Sequence, residues 1–150
     1  MGNSLSQLAY DGRLARCRLK ILCGVDVNLI DENGVSPLYM SAQNGHLGVS
    51  QLLIRNGADV NLANEDGTTP LILSVQTGHL EICQLLIQNG ADVNLAEKDG
   101  TTPIIQSAQK GHLEICQLLI QNGADVNLAE KDGTTPPLQS IYDAHLEVNY

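Results

Sequence analysis

The sequence predicts an all-α solenoid of stacked helix–turn–helix units with projecting loops, about four and a half units in all. Three observations predict this fold class. The segment 78–103 recurs letter for letter at 111–136, a G-x-D-V-N-L motif begins every 33 residues from Gly24 onward, and four histidines share that spacing: His46, His79, His112 and His145. Fixed periods of this length are typical of repeat proteins in which each unit packs on its neighbours.

The period divides the chain into successive units of one domain, 1–150, a length that fits a single domain. The predicted units are an N-terminal capping unit, 1–32, three full units, 33–65, 66–98 and 99–131, and a partial C-terminal unit, 132–150. The second and third full units are identical except at four positions. Each element is therefore justified once, on unit 66–98, and is expected to recur.

The first helix of a unit is predicted from "DGTTPLILSVQTG", which carries start and stop signals. The hydroxyl of Thr69 suits a helix N-cap, and Pro70 suits the first helical position, where its missing N–H costs no hydrogen bond. The helix is expected to run to about Gln76 and to end at Gly78.

The second helix is predicted from "HLEICQLLIQNG". Apolar side chains cover most of its circumference, so several of its sides must be covered, and stacked copies of the unit provide that cover. Gly90 is expected to end this helix in a left-handed conformation. The polar segment that follows contains the turn signal Asp99-Gly100 and is predicted to project as a loop.

Composition and charge limit the kind of core, partner and compartment. With no Phe or Trp, the core must be built from Leu, Ile, Val and Ala. Residues 1–23 carry a net +3 and the rest of the chain −12, for a total of −9, which disfavours nucleic-acid binding. The sequence shows neither an apolar run of membrane-spanning length nor a secretory signal. Four cysteines without a dense disulfide framework favour an intracellular, cytoplasmic setting.

These motifs carry a family likeness. "TTPLILS", "TGHLEICQLLIQNGADVN" and "DG" make the unit similar to the ankyrin repeat, over roughly residues 5–150. The histidine of the family's T-P-L-H motif is replaced in every unit, so apolar contact is expected in its place; the replacements are Tyr39, Ile72, Ile105 and Leu138. The resemblance implies a non-catalytic module that binds a protein through the concave face of its first helices and its loop tips.

Partner-contacting residues are predicted where the twin units differ and where the loops turn. Leu73 and Thr77 correspond to Gln106 and Lys110, and residues four apart share one helical face. The same register adds Tyr39, Met40 and Asn44, and the loop-tip candidates are Glu65, Asp66, Lys98, Asp99, Lys131 and Asp132. Drift after a duplication is the alternative explanation of the differences. The largely acidic tips favour a partner with a basic surface.

Catalytic, metal and cofactor sites are not predicted. Histidines on stacked helices ~8–10 Å apart cannot share one zinc ion, whose ligands lie within ~2.3 Å. Spacing also separates the aspartates of the D-V-N motifs, which are expected to bond their own loops. The asparagines of these motifs are interpreted as structural. Cys17, Cys83 and Cys116 share one position of the apolar second helix and are expected to be buried.

One motif lies outside the repeat. "MGNSLS" matches the N-myristoylation pattern, with Gly2 as the lipidation candidate, and a chance match is the alternative. The basic residues of the first unit would then supply the second membrane signal that a single acyl chain needs. Membrane association is expected only if Gly2 is acylated.

Two further interpretations of the chain stay open from sequence. The first is a designed or reconstructed repeat scaffold, or a fragment of a longer ankyrin array without a partner of its own, which the near-identical units favour. The second is an ankyrin-type inhibitor of a kinase or a transcription factor, which the size of the chain allows.

Overall fold

The computed structural model describes residues 4–133, together with 135 and 146. Within these residues the chain forms eight α-helices and no β-strand, which confirms the predicted all-α class. The helices are α1 (Leu5–Tyr10), α2 (Leu14–Leu22), α3 (Pro37–Gln43), α4 (Leu47–Arg55), α5 (Pro70–Thr77), α6 (Leu80–Gln88), α7 (Pro103–Lys110) and α8 (Leu113–Gln121). The predicted C-terminal unit lies almost wholly outside the described residues, as does Leu138.

The first helix of a unit begins and ends as its sequence predicts. In α5, Thr69 adopts an extended conformation and its hydroxyl accepts a hydrogen bond from the backbone N–H of Ile72 at 3.2 Å. Pro70 occupies the first turn, and the helix ends at Gly78 with φ of +77°. Ser36 caps α3 in the same way.

The helices form two layers. Helices α1, α3, α5 and α7 contact one another in order and make the first layer, while α2, α4, α6 and α8 make the second. Buried Leu and Ile side chains from both layers form one continuous apolar cluster, in which Leu53, Leu86 and Leu119 are completely buried. Each unit therefore obtains its core from the unit beside it.

The serines and cysteines inside this core pair across the two helices of a unit. Ser74 lies 3.2 Å from the sulfur of Cys83, and Ser107 lies 3.0 Å from that of Cys116. Burial raises the pKa of the Cys83 thiol to about 11, although its contact with Ser74 opposes the rise. These thiols are structural, as their position in the apolar helix predicts.

The D-V-N motifs join neighbouring units through their asparagines. The amide of Asn61 donates to the carbonyl oxygen of Gly90 at 3.1 Å and its oxygen accepts from the N–H of Asp92 at 2.8 Å. Asn28 and Asn94 make the same pair of bonds to their next units. The aspartates bond their own loops, as predicted, since Asp59 accepts from the N–H of Asn61 at 2.9 Å.

Apolar burial replaces the missing T-P-L-H histidine in two units. Ile72 and Ile105 are almost completely buried. His46, His79 and His112 precede the second helices α4, α6 and α8, and the first two bond backward instead. His46 Nε2 donates to the carbonyl oxygen of Tyr10 at 2.8 Å, and His79 Nε2 to that of Gln43 at 3.2 Å. These side chains thus connect consecutive units.

Candidate functional site

The loop tips form a hydrogen-bonded row along one edge of the stack. The backbone N–H of Lys98 donates to the carbonyl oxygen of Asp66 at 2.9 Å, and that of Lys131 donates to Asp99 at 2.8 Å. Inside a tip, the side-chain oxygen of Asn64 accepts from the N–H groups of Asp66 and Thr68. The row is therefore held in place before any partner arrives.

Glycine is required where one tip passes over the next. Gly100 has a φ of +94°, and a Cβ on it would lie 3.0 Å from backbone atoms of Glu130 and Lys131. A larger residue at this position meets both backbone strain and the backbone of the neighbouring loop. The D-G dipeptide thus fixes the close spacing of the tips.

A cluster of polar side chains lies between α3 and the tips. The hydroxyl of Thr68 donates to Glu97, and the amide of Asn64 donates to the Tyr39 hydroxyl at 3.4 Å. Farther along, the amide of Gln109 donates to Glu130 at 3.0 Å. A cavity of about 210 Å³ adjoins the cluster and is lined by Asp66, Glu97, Lys98 and Asp99. We call this cluster and cavity the acidic groove.

Burial and negative charge act together in the acidic groove. Burial raises the pKa of Glu97, and the carboxylates of Asp99, Asp66 and Glu130 raise it further against the hydrogen bond from Thr68. Burial also raises the pKa of Tyr39, with added contributions from Glu97 and Asp66. Burial disfavours charge of either sign, while the neighbouring carboxylates disfavour further negative charge in the groove.

Asp99 behaves in the opposite way. Its carboxylate accepts a hydrogen bond from the backbone N–H of Thr101 at 2.8 Å, and this bond holds the pKa of Asp99 below its ordinary value. Asp99 therefore keeps its charge at mildly acidic pH. The groove therefore contains a carboxylate with a lowered pKa, Asp99, and one with a raised pKa, Glu97.

The first-helix candidates divide by exposure. Leu73 and Gln106 are only 6% and 9% exposed, so they offer a partner little surface, and their contact with one stays a prediction. Both positions lie in the middle of their helices, where α5 and α7 are packed against neighbouring helices. Thr77 and Lys110 end the same helices and are exposed. The hydroxyl of Thr77 donates to the carbonyl oxygen of Leu73 at 2.9 Å.

The remaining candidates differ in exposure and in their relation to the acidic groove. Tyr39, Met40 and Asn44 on and beside α3 are partly exposed, and Asn44 donates to the carbonyl oxygen of Met40 at 3.1 Å. Asp66, Lys98 and Asp99 line the cavity itself. The other three tip candidates are exposed and do not line the cavity: Glu65, Lys131 and Asp132. Gly2 lies outside the described residues.

Sequence reasoning missed the side chains that connect the tips to the helices. Glu97 and Glu130 occupy the same position of successive units, and Asp31 and Asn64 precede them in that column. This series of side chains with oxygen acceptors, spaced 33 residues apart, could have indicated a hydrogen-bonding position in each loop. The partners Thr68 and Gln109 depend on how the loops fold back, which the period alone does not give.

Two larger crevices lie elsewhere, where the second helices start. They measure about 330 and 310 Å³ and are lined by the glycine, histidine and leucine that begin α6 and α8, such as Gly78, His112 and Leu113. Because the same residues recur in each unit, the crevices follow from the repeat. Residues 4–133, 135 and 146 contain neither a cluster of three metal-ligating side chains nor a helix long and apolar enough to cross a membrane.

Paired helices stacked in two layers, with a bonded row of loop tips at one edge, define a helical repeat solenoid. Models of known protein families match most of the described chain. A family described as ankyrin repeats (3 copies) matches residues 5–97, and a second described as ankyrin repeats (many copies) matches residues 75–120. The chain belongs to the ankyrin-repeat family, whose repeats are generally protein–protein interaction modules. A search of curated proteins found no match.

Proposed function

We propose that this chain is a non-catalytic interaction module that binds a basic segment of a partner protein in the acidic groove. The observation that carries the proposal is the placement of Glu97 among other carboxylates, where burial and repulsion raise its pKa. A lysine or arginine docked beside it relieves that repulsion. Opposite charge across an interface gives both specificity and a faster association rate.

The groove offers its partner a preorganised surface. Tip residues are held by bonds from Lys98 to Asp66 and from Lys131 to Asp99, so little loop entropy is lost on binding. Tyr39 adds a partly exposed aromatic ring beside the carboxylates. Such a ring suits the aliphatic stem or the cationic head of a basic side chain.

Exposure determines which of the twin-unit differences belong to this surface. Thr77 and Lys110 are exposed at the ends of their helices, so a partner that extends along the first layer meets both. Leu73 and Gln106 are buried, so they contribute less contact area than the exposed pair. The exposed difference between Thr77 and Lys110 is then the part of the variation that tunes recognition.

The cysteines support an intracellular place of action. Cys17, Cys83 and Cys116 are buried free thiols, and Cys23 is an exposed one. An exposed thiol and no disulfide among the four cysteines suit a reducing compartment.

The proposal is tested by selecting displayed random peptides on the intact chain and sequencing those retained. We expect enrichment of lysine and arginine, and loss of the selected peptides on an Asp66→Asn, Glu97→Gln variant. The matched control is Glu81→Gln, Glu114→Gln, which removes the same charge from exposed positions of α6 and α8. Selected peptides without basic residues, or equal binding to all three chains, would refute the acidic groove as the site.

A further inference from the structure

The outward face of α2 exposes two leucines that no neighbouring element among the described residues covers. Leu19 is 62% exposed and Leu22 is 77% exposed, and residues three apart lie on one side of a helix. Six of the eight large apolar side chains exposed in the described part of the chain belong to this first unit: Tyr10, Leu14, Leu19, Leu22, Leu29 and Ile30. Among the residues that the structure describes, apolar exposure is therefore concentrated in the first unit.

Cations border the leucine pair on both sides. Arg18 precedes Leu22 by four residues and borders one side, while Arg16 precedes Leu19 by three and borders the other. Lys20 lies on the same side as Arg16, and both arginines are exposed. The helix contains no acidic residue. We call this strip of two leucines between cations the α2 face.

The equivalent helices share the leucine at the position of Leu19 but not the rest of this pattern; those leucines are the half-buried Leu52, Leu85 and Leu118. Where α2 has Leu22, the other second helices have the exposed polar residues Arg55, Gln88 and Gln121. Where α2 has Arg18, they have Gln51, Gln84 and Gln117. The repeat fold therefore requires neither an apolar residue nor a charge at these two positions.

Protection of the end of the stack explains only part of the difference. Arg16 and Lys20 stand where Ile82 and Leu86 are buried between units, so they make a polar end for the first unit. A further copy stacked end-on would bury these two cations. Arg18 and Leu22 lie instead on the side that faces solvent in every unit, and a polar end does not account for them.

We propose that the α2 face is a binding site for the surface of an anionic lipid membrane. Leucines entering the interface and cations meeting lipid phosphates are the two interactions that hold a surface-bound helix. A nucleic acid offers phosphates but no apolar cover, and α2 carries no aromatic ring for stacking on bases. The acidic groove of a second copy offers carboxylates, yet its cavity is lined by charged side chains.

Charge separation within the molecule orients it at such a surface. Residues 1–23 carry a net +3, and the remaining residues carry −12 and are repelled by anionic lipid. The first unit therefore contacts the membrane while the acidic groove stays open to a protein partner. This inference does not depend on the acidic groove being a binding site.

The test uses the full chain expressed in bacteria, which leaves Gly2 without an acyl group, because the α2 face is proposed to bind without the acylation of Gly2 that the sequence alone made a condition. Sedimentation with phosphatidylcholine vesicles that contain phosphatidylserine should recover the protein, and vesicles of phosphatidylcholine alone should not. Leu19→Gln with Leu22→Gln should lower the partition coefficient at least about tenfold, and Arg16→Gln with Arg18→Gln should lower it similarly. The control Leu95→Gln changes an exposed leucine of the acidic part and should have no effect.

Folding of each variant is checked by circular dichroism, and Leu22→Gln alone provides a second test because α6 and α8 carry glutamine at that position. Equal binding by wild type and Leu22→Gln would overturn the proposal. So would equal binding to neutral and anionic vesicles, or failure to bind either. Retention of an RNA or DNA fragment in place of vesicles, or a dimer in light scattering that the leucine variant abolishes, would assign the α2 face to a different partner.

Discussion

At the scale of single residues, the asparagines of the D-V-N motifs connect the units most directly. Asn61 uses both ends of its amide on backbone groups of the next unit, at Gly90 and Asp92. Truncation of the side chain removes the bond to the carbonyl oxygen of Gly90 and the bond to the N–H of Asp92. The function of the residue is thus to hold one loop at a fixed distance from the next.

Asn61→Ala should therefore lower the free energy of unfolding by about 1–3 kcal/mol, because two hydrogen bonds between units are lost. The matched control is Asn89→Ala, which removes one bond to Leu85 in its own helix, and should cost less, about 0.5 kcal/mol. Urea unfolding followed by circular dichroism measures both. If the two variants were equally stable, the bonds between units would contribute nothing beyond local capping.

Glu97 makes the stability of the folded chain depend on pH. Burial, then the nearby carboxylates, raises the pKa of Glu97 above its ordinary 4.5, so the folded chain binds this proton more tightly than the unfolded chain. The stabilisation is present below the ordinary pKa and decreases as pH rises through the raised value. Glu97→Gln removes this loss, so its stability relative to wild type should increase from acidic to neutral pH in thermal melts.

Asp99 supplies a control of opposite sign. Its pKa is lowered, first by the N–H of Thr101, so its contribution is present above its ordinary 3.8 and is lost as pH falls through the folded value. Asp99→Asn should therefore lose stability relative to wild type as pH rises. Parallel pH profiles for the two variants would contradict the assigned causes of both shifts.

At the scale of elements, the second helices depend on cover from both neighbours. Leu86 in α6 is completely buried, and α6 contacts both α4 and α8. Leu86→Ala should lower the free energy of unfolding by ~2–5 kcal/mol, because a buried leucine leaves a cavity. Leu95→Ala, at a 36% exposed position, should cost much less in the same urea titration. A negligible effect of Leu86→Ala would show that α6 is not packed as described.

The helices were predictable because their signals are local and repeated. Thr69, Pro70 and Gly78 determine where α5 begins and ends, and the same letters recur in the next unit. The burial of Leu73 and Gln106 was not predictable, since two positions four apart show a shared face but not how deeply the layers enclose it. The contact of Thr68 with Glu97 joins different units and appears only when the loops are stacked.

At the scale of the whole molecule, the stacking of units also brings negatively charged side chains close together. Every unit places its loop at the same edge, so the carboxylates of Asp66, Asp99 and Glu130 come close enough to raise the pKa of Glu97. The chain beyond residue 23 carries −12 with few cations to offset it. Regular repetition packs the apolar core, which stabilises the fold. It also brings the carboxylates of the loop tips together, and their repulsion lowers the stability.

Because exposed charges repel less when salt screens them, the melting temperature should rise with sodium chloride between about 0.01 and 0.15 M, where the Debye length falls from about 30 to about 8 Å. Asp66→Asn with Glu97→Gln should show a smaller rise, because repulsion at the acidic groove is already reduced. Glu81→Gln with Glu114→Gln removes equal charge away from the tips and should keep a larger salt effect. An identical salt dependence for these two variants would locate the repulsion in the net charge of the molecule, and not in the stacked tips.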